Sequence, residues 1–332
     1  MATLDPAPIA LGEAGLERIA YRAATSDDLP ACGAIWRSAL NDYMGRLNLP
    51  EVPNDLAAIL RLHRHLLATD PDGFLVAEQV VADGDIADVR IVAFGSAVRR
   101  DPVWFLSMLF VMPNAQAAGI GRNLLGRLLP PPGSATLATC TDAAQPISNG
   151  LYASHGIVPR MPLLRLVGLA DRPAELPRLP DGVQPVRFSE VSRDGDRIGG
   201  AALDDELAAL DRDAAGFEHP ADHGMVGAEG RTGFLYVGPD GGPVGYGYAS
   251  ESGRVGPIAV RDAALLGPVI AHLVTTIRPR GAFGMWLPGA AEETFAPLIR
   301  AGFRMEGFPC LLCWDRPFAD FARYVPISPG LL

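Results

Sequence analysis

Lysine is missing from this sequence: all 28 basic residues are arginine. That absence excludes a lysine Schiff base and the lysine of a Walker phosphate loop. Positive charge is also short overall, since 38 acidic residues leave a net charge of −10. A negative surface without lysine argues against a general nucleic-acid binder and against a polybasic membrane anchor. The four cysteines are too few for a disulfide framework in 332 residues. Long apolar runs are absent too. The most apolar stretch, 103–112, is ten residues long with Ser107 inside it, too short to span a bilayer. The N-terminus carries Asp5 and Glu13 before its first basic residue, Arg18, unlike the basic start and apolar run of a signal peptide. These absences leave the expectation of a cytoplasmic protein of about two domains.

What is present reads as alternating strands and helices. After a leader over 1–17, a strand is expected over 16–24 and helices over 31–40 and 54–67. The second helix has apolar spacing at Leu56, Ile59, Leu60, His63 and Leu67. Strands are expected over 74–78, 91–98, 104–111, 135–140 and 163–169, with helices over 119–129 and 147–155. Four prolines within 171–185 suggest a linker over 171–182.

Beyond that stretch the pattern repeats. Phe234 follows Phe74 by 160 residues, within Gly-Phe-Leu in both places, and Gly302 follows Gly156 by 146. Val244-Gly245-Tyr246-Gly247 echoes Val92-Ala93-Phe94-Gly95, and Pro309-Cys310-Leu311-Leu312 echoes Pro162-Leu163-Leu164. Nearly constant offsets in collinear order predict two copies of one fold, at 18–170 and 183–332.

One segment carries chemistry. Leu109-Phe110-Val111-Met112-Pro113 ends an apolar strand, and Gln116-Ala117-Ala118-Gly119-Ile120-Gly121-Arg122 opens an amphipathic helix. The first N–H groups of a helix have no intrahelical partner, and the helix dipole adds partial positive charge there. Glycines let a phosphate come close to that backbone, and Arg122 adds charge. Physics alone says phosphate without saying which cofactor. A dinucleotide fingerprint fits less well, because Leu124 stands where a third glycine belongs. The plain alternative is a helix that merely begins after a glycine turn.

The pattern Val111-x-Pro113-x-x-Gln116-x-x-Gly119-x-Gly121 resembles the acyl-CoA loop of the GNAT superfamily of N-acetyltransferases. Downstream, Asn149-Gly150-Leu151-Tyr152-Ala153-Ser154-His155-Gly156-Ile157 resembles that family's second motif, with Ile157 in place of the usual aromatic. The resemblance covers 18–170 directly and 183–315 through the repeat, a tandem form like that of mycothiol synthase, with no motif that identifies that substrate. It implies an α/β (α+β) protein of two GNAT-like domains, each a mixed, splayed β-sheet flanked by helices. It implies that acetyl-CoA lies between the fourth and fifth strands. Its pantetheine would meet Leu109, Phe110 and Val111, and its pyrophosphate the backbone of Gln116, Ala117, Ala118, Gly119, Ile120, Gly121 and Arg122. Asn149 is a further binding residue in that reading. Tyr152 is the proton donor to the departing thiolate.

The acceptor implied is a primary amine of a small molecule or peptide, which attacks the thioester directly. Neither nucleic acid nor membrane is an expected partner, and the oligomeric state is open. Glu78, Asp42, Asp101, His63 and His65 are candidates for the general base. A non-catalytic acyl-CoA sensor and a nucleotide-binding regulator are the rival readings.

No metal is expected. Cys310 and Cys313 have zinc-like spacing without a second pair, and Pro220 between His219 and His223 suggests a polar loop. The second copy departs from the motif: Asp262, Pro268 and a lone Gly267 follow its fourth strand, which predicts a degenerate domain without a phosphate site. The apolar tail 326–332 is expected to pack on the surface, or to reach the first domain's cleft.

Overall fold

A computed structural model describes residues 17–83, 86–191 and 202–332. Most of the expected leader lies outside the described residues, and Glu17 already belongs to the first strand. Contacts gather the chain into two compact units, Met1–Arg99 with Leu106–Ser134 and Arg100–Phe105 with Ala135–Leu332.

The first unit runs through β1 (Glu17–Ala23), α1 (Leu29–Arg46), α2 (Ala57–Thr69), β2 (Phe74–Asp83), β3 (Ile86–Arg100), the end of β4 (Val103–Val111) and α3 (Ile120–Leu128). Its strands lie in the order β1-β2-β3-β4. β2 is antiparallel to both neighbours, with Tyr21 opposite Ala77 and Phe74 opposite Ser96. Pro30 sits in the first turn of α1, where a missing N–H costs nothing. α1 outruns its expected end at residue 40. The extra turns are helped by an Asp42–Arg46 ion pair at i,i+4 spacing. α2 starts later than expected, because the Asp55 carboxylate accepts the Ala57 N–H at 2.9 Å.

α2 buries Ile59, His63 and Leu66 along one face. The His63 ring meets Phe74 and Phe94 edge-on, and Phe94 stacks on Phe110 with centroids 5.7 Å apart. A charge knot stitches β1 to its neighbours. Arg22 donates to both Asp28 oxygens at 2.6 and 2.9 Å and to Glu78 at 2.8 Å. Those Arg22 bonds hold the Asp28 carboxyl down at about 2.

The second unit contains β5 (Thr136–Asp142), α4 (Pro146–Ala153), β6 (Val158–Gly168), β7 (Gln184–Arg187), α5 (Phe188–Val191), α6 (Leu203–Ala214) and α7 (Pro220–Ala228). It continues with β8 (Thr232–Val237), β9 (Pro243–Ala249), β10 (Val255–Val260), α8 (Leu266–Thr276), β11 (Phe283–Pro288) and α9 (Glu292–Ala301). β12 (Arg304–Met305), β13 (Cys310–Trp314) and β14 (Tyr324–Val325) complete it. One sheet runs β14-β10-β9-β8-β7, and the other strands lie in the order β5-β13-β6-β11, with β12 also on β6. α8 is apolar on nearly every side and buries Leu266, Val269, Ile270, Leu273 and Val274.

The repeat explains an exchange of strands. In two self-contained copies, β6 would lie against β5 and β13 against β11. Instead β13 pairs antiparallel with β5, Leu312 opposite Cys140, while β6 pairs with β11, Leu166 opposite Met285. β13 and β6 also pair with each other. The two closing strands have traded places, so the contact units do not part at 171–182. That proline-rich stretch is docked: Arg172 donates its N–H to the Ala301 carbonyl at 2.9 Å, and Leu176 is buried in the apolar core.

His219 and His223 depart from the expected polar loop. Pro220 is the first residue of α7, where its fixed φ suits a helix start, and His219 is the N-cap residue. The two rings stack one turn apart with centroids at 4.5 Å.

Candidate acyl-CoA site

The site begins where β4 runs out of core. Its first six residues are buried, and Leu109, Phe110 and Val111 are half-buried at its end. Pro113 starts a short turn closed by the Ala115 N–H donating to the Met112 carbonyl at 2.9 Å. The Gln116 amide folds back onto the Val111 carbonyl at 3.2 Å. Two left-handed residues then turn the chain into α3, Ala117 with φ +68° and Gly119 with φ +77°. Glycine is at ease there, but alanine pays on the order of 1 kcal/mol or more, strain of the kind that gathers at binding loops.

Among the described residues, no acceptor meets the backbone N–H groups of Gln116, Ala117, Ala118, Gly119, Ile120, Gly121 or Arg122. The first helical bond is Asn123 N–H to the Gly119 carbonyl at 3.0 Å. Gly119 is the N-cap residue and offers no capping side chain. Gln116, Ala117, Ala118 and Gly119 are exposed, whereas Ile120, Leu124, Leu125 and Leu128 anchor α3 in the core. A Cβ built on Gly121 would meet only Val111 Cγ2, at 3.5 Å. Among the described residues Arg122 has no carboxylate partner and is exposed. The helix start is thus rigidly held from behind and open in front, with unpaired donors and one free cation, as an anionic diphosphate requires.

Two other expected residues belong to the second unit. Asn149 on α4 donates through Nδ2 to the carbonyls of Asp142 and Gln145, at 3.0 and 2.7 Å. Its Oδ1 is buried without a partner among the described residues, an acceptor aimed at a donor the protein does not supply. Tyr152, one turn on, is 6% exposed. Burial raises its phenol above the ordinary value, and the nearby Cys313 and Cys140 add to the shift. The same burial pushes the Cys313 thiol up to about 12 and raises Cys140 as well. Gly156, with φ +81°, follows the end of α4, and Ile157 is fully buried where the family pattern carries an aromatic.

Several base candidates are committed elsewhere. Glu78 is paired with Arg22 and Asp42 with Arg46. His63 is enclosed by Phe74, Phe94 and the Met108 sulfur, and burial lowers its pKa to about 4. Cys310 and Cys313 lie on β13, which pairs with the β5 strand that carries Cys140.

The second copy is closed by its own chain. β10 residues 258–260 occupy the place of 109–111, and their backbone is already paired, Ile258 opposite Val325 and Ala259 opposite Tyr324. The Val260 N–H donates to the Arg323 carbonyl at 3.0 Å. At the following helix start, the Asp262 carboxylate accepts the Ala264 N–H at 3.0 Å, and its carbonyl accepts the Leu265 N–H at 2.9 Å. Leu266 donates to Ala263, and Pro268 has no N–H to give. The tail runs on from β14, with Leu331 and Leu332 buried.

Sequence reasoning missed three features: the left-handed Ala117, the capping of the second copy by β14, and a buried cluster of Asp211, His219 and His223. Only His219 and His223 left any local signal, as a pair four residues apart. Among the described residues no helix is long and apolar enough to cross a membrane.

No protein-family profile matches the chain, and no curated protein matches it in sequence. Solved structures do match. A proposed acetyltransferase from Pyrococcus horikoshii superposes with a TM-score of 0.68 at 17% identity, covering 97% of this chain and 98% of that one. A GCN5-related N-acetyltransferase from Sphaerobacter thermophilus gives 0.55 at 19% identity, covering 92% and 98%. A tandem GNAT protein from the clavulanic acid biosynthesis pathway gives 0.51 at 15%, covering 90% and 99%. At these identities the likeness establishes the fold: a mixed α/β chain with two sheets, matching tandem GNAT structures.

Proposed function

We propose, starting from a chain with the tandem GNAT fold, that the protein is an acyltransferase. It moves an acetyl group from acetyl-CoA to a primary amine, with its co-substrate held at 109–122. The observation that carries the reading is the run of unpaired N–H groups over 116–122 beside a glycine whose side is open. Each donor facing a diphosphate oxygen makes a charge-assisted bond worth about 1.5–3 kcal/mol. The half-buried backbone at 109–111 offers strand-like partners to an amide-bearing arm, as in the family the sequence resembles.

Direct transfer makes three demands on the protein. The amine must arrive deprotonated, its attack on the thioester carbon must meet a polarised carbonyl, and the departing thiolate must receive a proton. We assign that last proton to Tyr152. Its raised pKa keeps it protonated through the neutral range, so it is a donor and not a phenolate.

The test is a thiol-release assay with acetyl-CoA across a panel of amines, alongside calorimetric titration with CoA. Turnover with an amine, together with CoA binding near one equivalent, supports the reading. Tight CoA binding without turnover for any amine class identifies a sensor instead. A thermal shift with ATP or NAD but none with CoA removes the acyl-CoA assignment altogether.

A further inference from the structure

We propose that Asp211, His219 and His223 form a binding site for a borderline divalent metal, zinc being the representative ion. The site is separate from the acyl-CoA segment and clamps α6 and α7 to β9. Asp211 and His219 are fully buried and the His223 side chain is 9% exposed. The His219 Nε2 lies 3.2 Å from Asp211 Oδ1, and the His223 Nε2 lies 2.9 Å from Oδ2. One donor atom from each of the three residues falls within 4.8 Å of the others. Two imidazoles and a carboxylate suit zinc, cobalt or nickel, not calcium or magnesium, which prefer all-oxygen shells. One carboxylate oxygen and two imidazole nitrogens supply three donors, and a water would complete a four-coordinate shell. The rings, now stacked 17° from parallel with centroids 4.5 Å apart, must swing well out of that stack for both Nε2 lone pairs to point at one ion.

The surroundings can serve the ion as well as bare hydrogen bonds. Without a metal, each Nε2 must carry a proton to serve Asp211. The His219 Nδ1 has no hydrogen-bond partner among the described residues, and the Asp222 carboxylate lies 3.9 Å from it. Burial opposes a second proton on this ring, but the Asp211 and Asp222 carboxylates outweigh it and raise its pKa, so a metal-free imidazolium is the ion's competitor for this place. A metal would take the Nε2 lone pairs and leave both protons on Nδ1. The His223 Nδ1–H then donates to the Tyr248 hydroxyl, 2.9 Å away, and the His219 Nδ1–H faces Asp222. Outer partners of this kind fix the ring orientation of metal-binding histidines. The rest of the shell is built too. Tyr246 donates to Asp211 Oδ1 at 2.6 Å, Arg100 holds Asp222 through two 2.8 Å bonds, and the Tyr324 hydroxyl lies 3.4 Å from His219 Nε2.

The repeat supplies an independent comparison. His223 follows His63 by 160 residues, the same offset that relates Phe234 to Phe74. Around His63 that place is apolar, with Phe94 and the Met108 sulfur against the ring. Around His223, Tyr246 stands where Phe94 stands, and a carboxylate and a second histidine have joined it. One position in a duplicated fold is packed in one copy and furnished with ligands in the other.

The test uses the full chain without a histidine tag, stripped with chelator and then titrated with zinc or cobalt chloride. We expect one equivalent bound per chain by elemental analysis, visible bands of four-coordinate cobalt, and a rise in melting temperature with zinc. His223→Gln should weaken zinc binding at least 100-fold. Tyr248→Phe, which removes only the outer partner, should weaken it about 10–100-fold. A folded wild-type chain that takes up no zinc and gives no cobalt bands overturns the proposal, leaving a hydrogen-bonded Asp–His–His cluster. So does a folded His223→Gln variant that binds as tightly as the wild type.

Discussion

Replacing Gly121 with valine tests the cradle with little disturbance of the fold. The new Cβ meets Val111 Cγ2 at 3.5 Å, an ordinary van der Waals contact. Gly121 has no positive φ, unlike Gly119, so the backbone accepts a side chain there. Glycine lies about 0.8–1 kcal/mol below alanine in helix propensity and valine about 0.5–0.7, so the exchange is neutral or slightly stabilising. The branched side chain rises among the N–H groups of 116–122 and holds a diphosphate away by roughly the width of a methyl group. Losing two charge-assisted hydrogen bonds at about 1.5–3 kcal/mol each amounts to roughly 3–6 kcal/mol, or two to four orders of magnitude in Kd. Calorimetry with CoA measures the loss, and circular dichroism with a melting curve establishes that the variant is folded. Gly126→Val is the matched control: it lies on the exposed side of α3, and nothing stands within 4 Å of its Cβ position. A folded Gly121→Val protein that binds CoA like the wild type refutes the assignment. Equal losses in the two variants refute it as well, because the effect would then belong to the helix and not to the cradle.

Three further outcomes follow from the same structure. CoA titration should saturate near one equivalent per chain, because β14 and Asp262 already occupy the donors of the second copy; a stoichiometry of two contradicts this. Tyr152→Phe should lower kcat by about 10–1,000-fold with CoA affinity unchanged, and full turnover would make the residue a packing element. His63→Leu should remove acid sensitivity. Burial lowers the His63 pKa from 6.5 to about 4, so the unfolded chain takes up a proton that the folded chain refuses. The native state therefore loses stability as pH falls from 6.5 to about 4, by about 3 kcal/mol over the 2.5-unit gap at ~1.36 kcal/mol per unit. Denaturant melts of both proteins across that range check it, and identical slopes would exclude His63 as the cause.

The candidate site was largely legible in the sequence because its parts are local. A strand, a proline, a short loop and two glycines before an amphipathic helix all fall within about twenty residues. Helix polarity and glycine freedom act at that range, so unpaired donors at 116–122 follow from order alone. The capped helix start of the second copy was legible for the same reason: Asp262 and Pro268 stand beside the helix they alter. The left-handed Ala117 was not legible, since alanine carries no mark of a strained φ. His219 and His223 were seen as a pair, but their partner Asp211 lies on another helix, and only packing brings them together.

The sequence by itself determined most elements of the first copy, their order and the repetition of that order, because hydrophobic periodicity and turn residues act within a few positions. Tertiary structure alone decided which strand lies beside which. β6 and β13 come from equivalent places in the two copies, and each pairs both with the other and with a strand of the other copy. Nothing local to a strand names its partner across more than a hundred residues. The choice of β13 for β5 and of β6 for β11 belongs to the side chains of the whole assembled core.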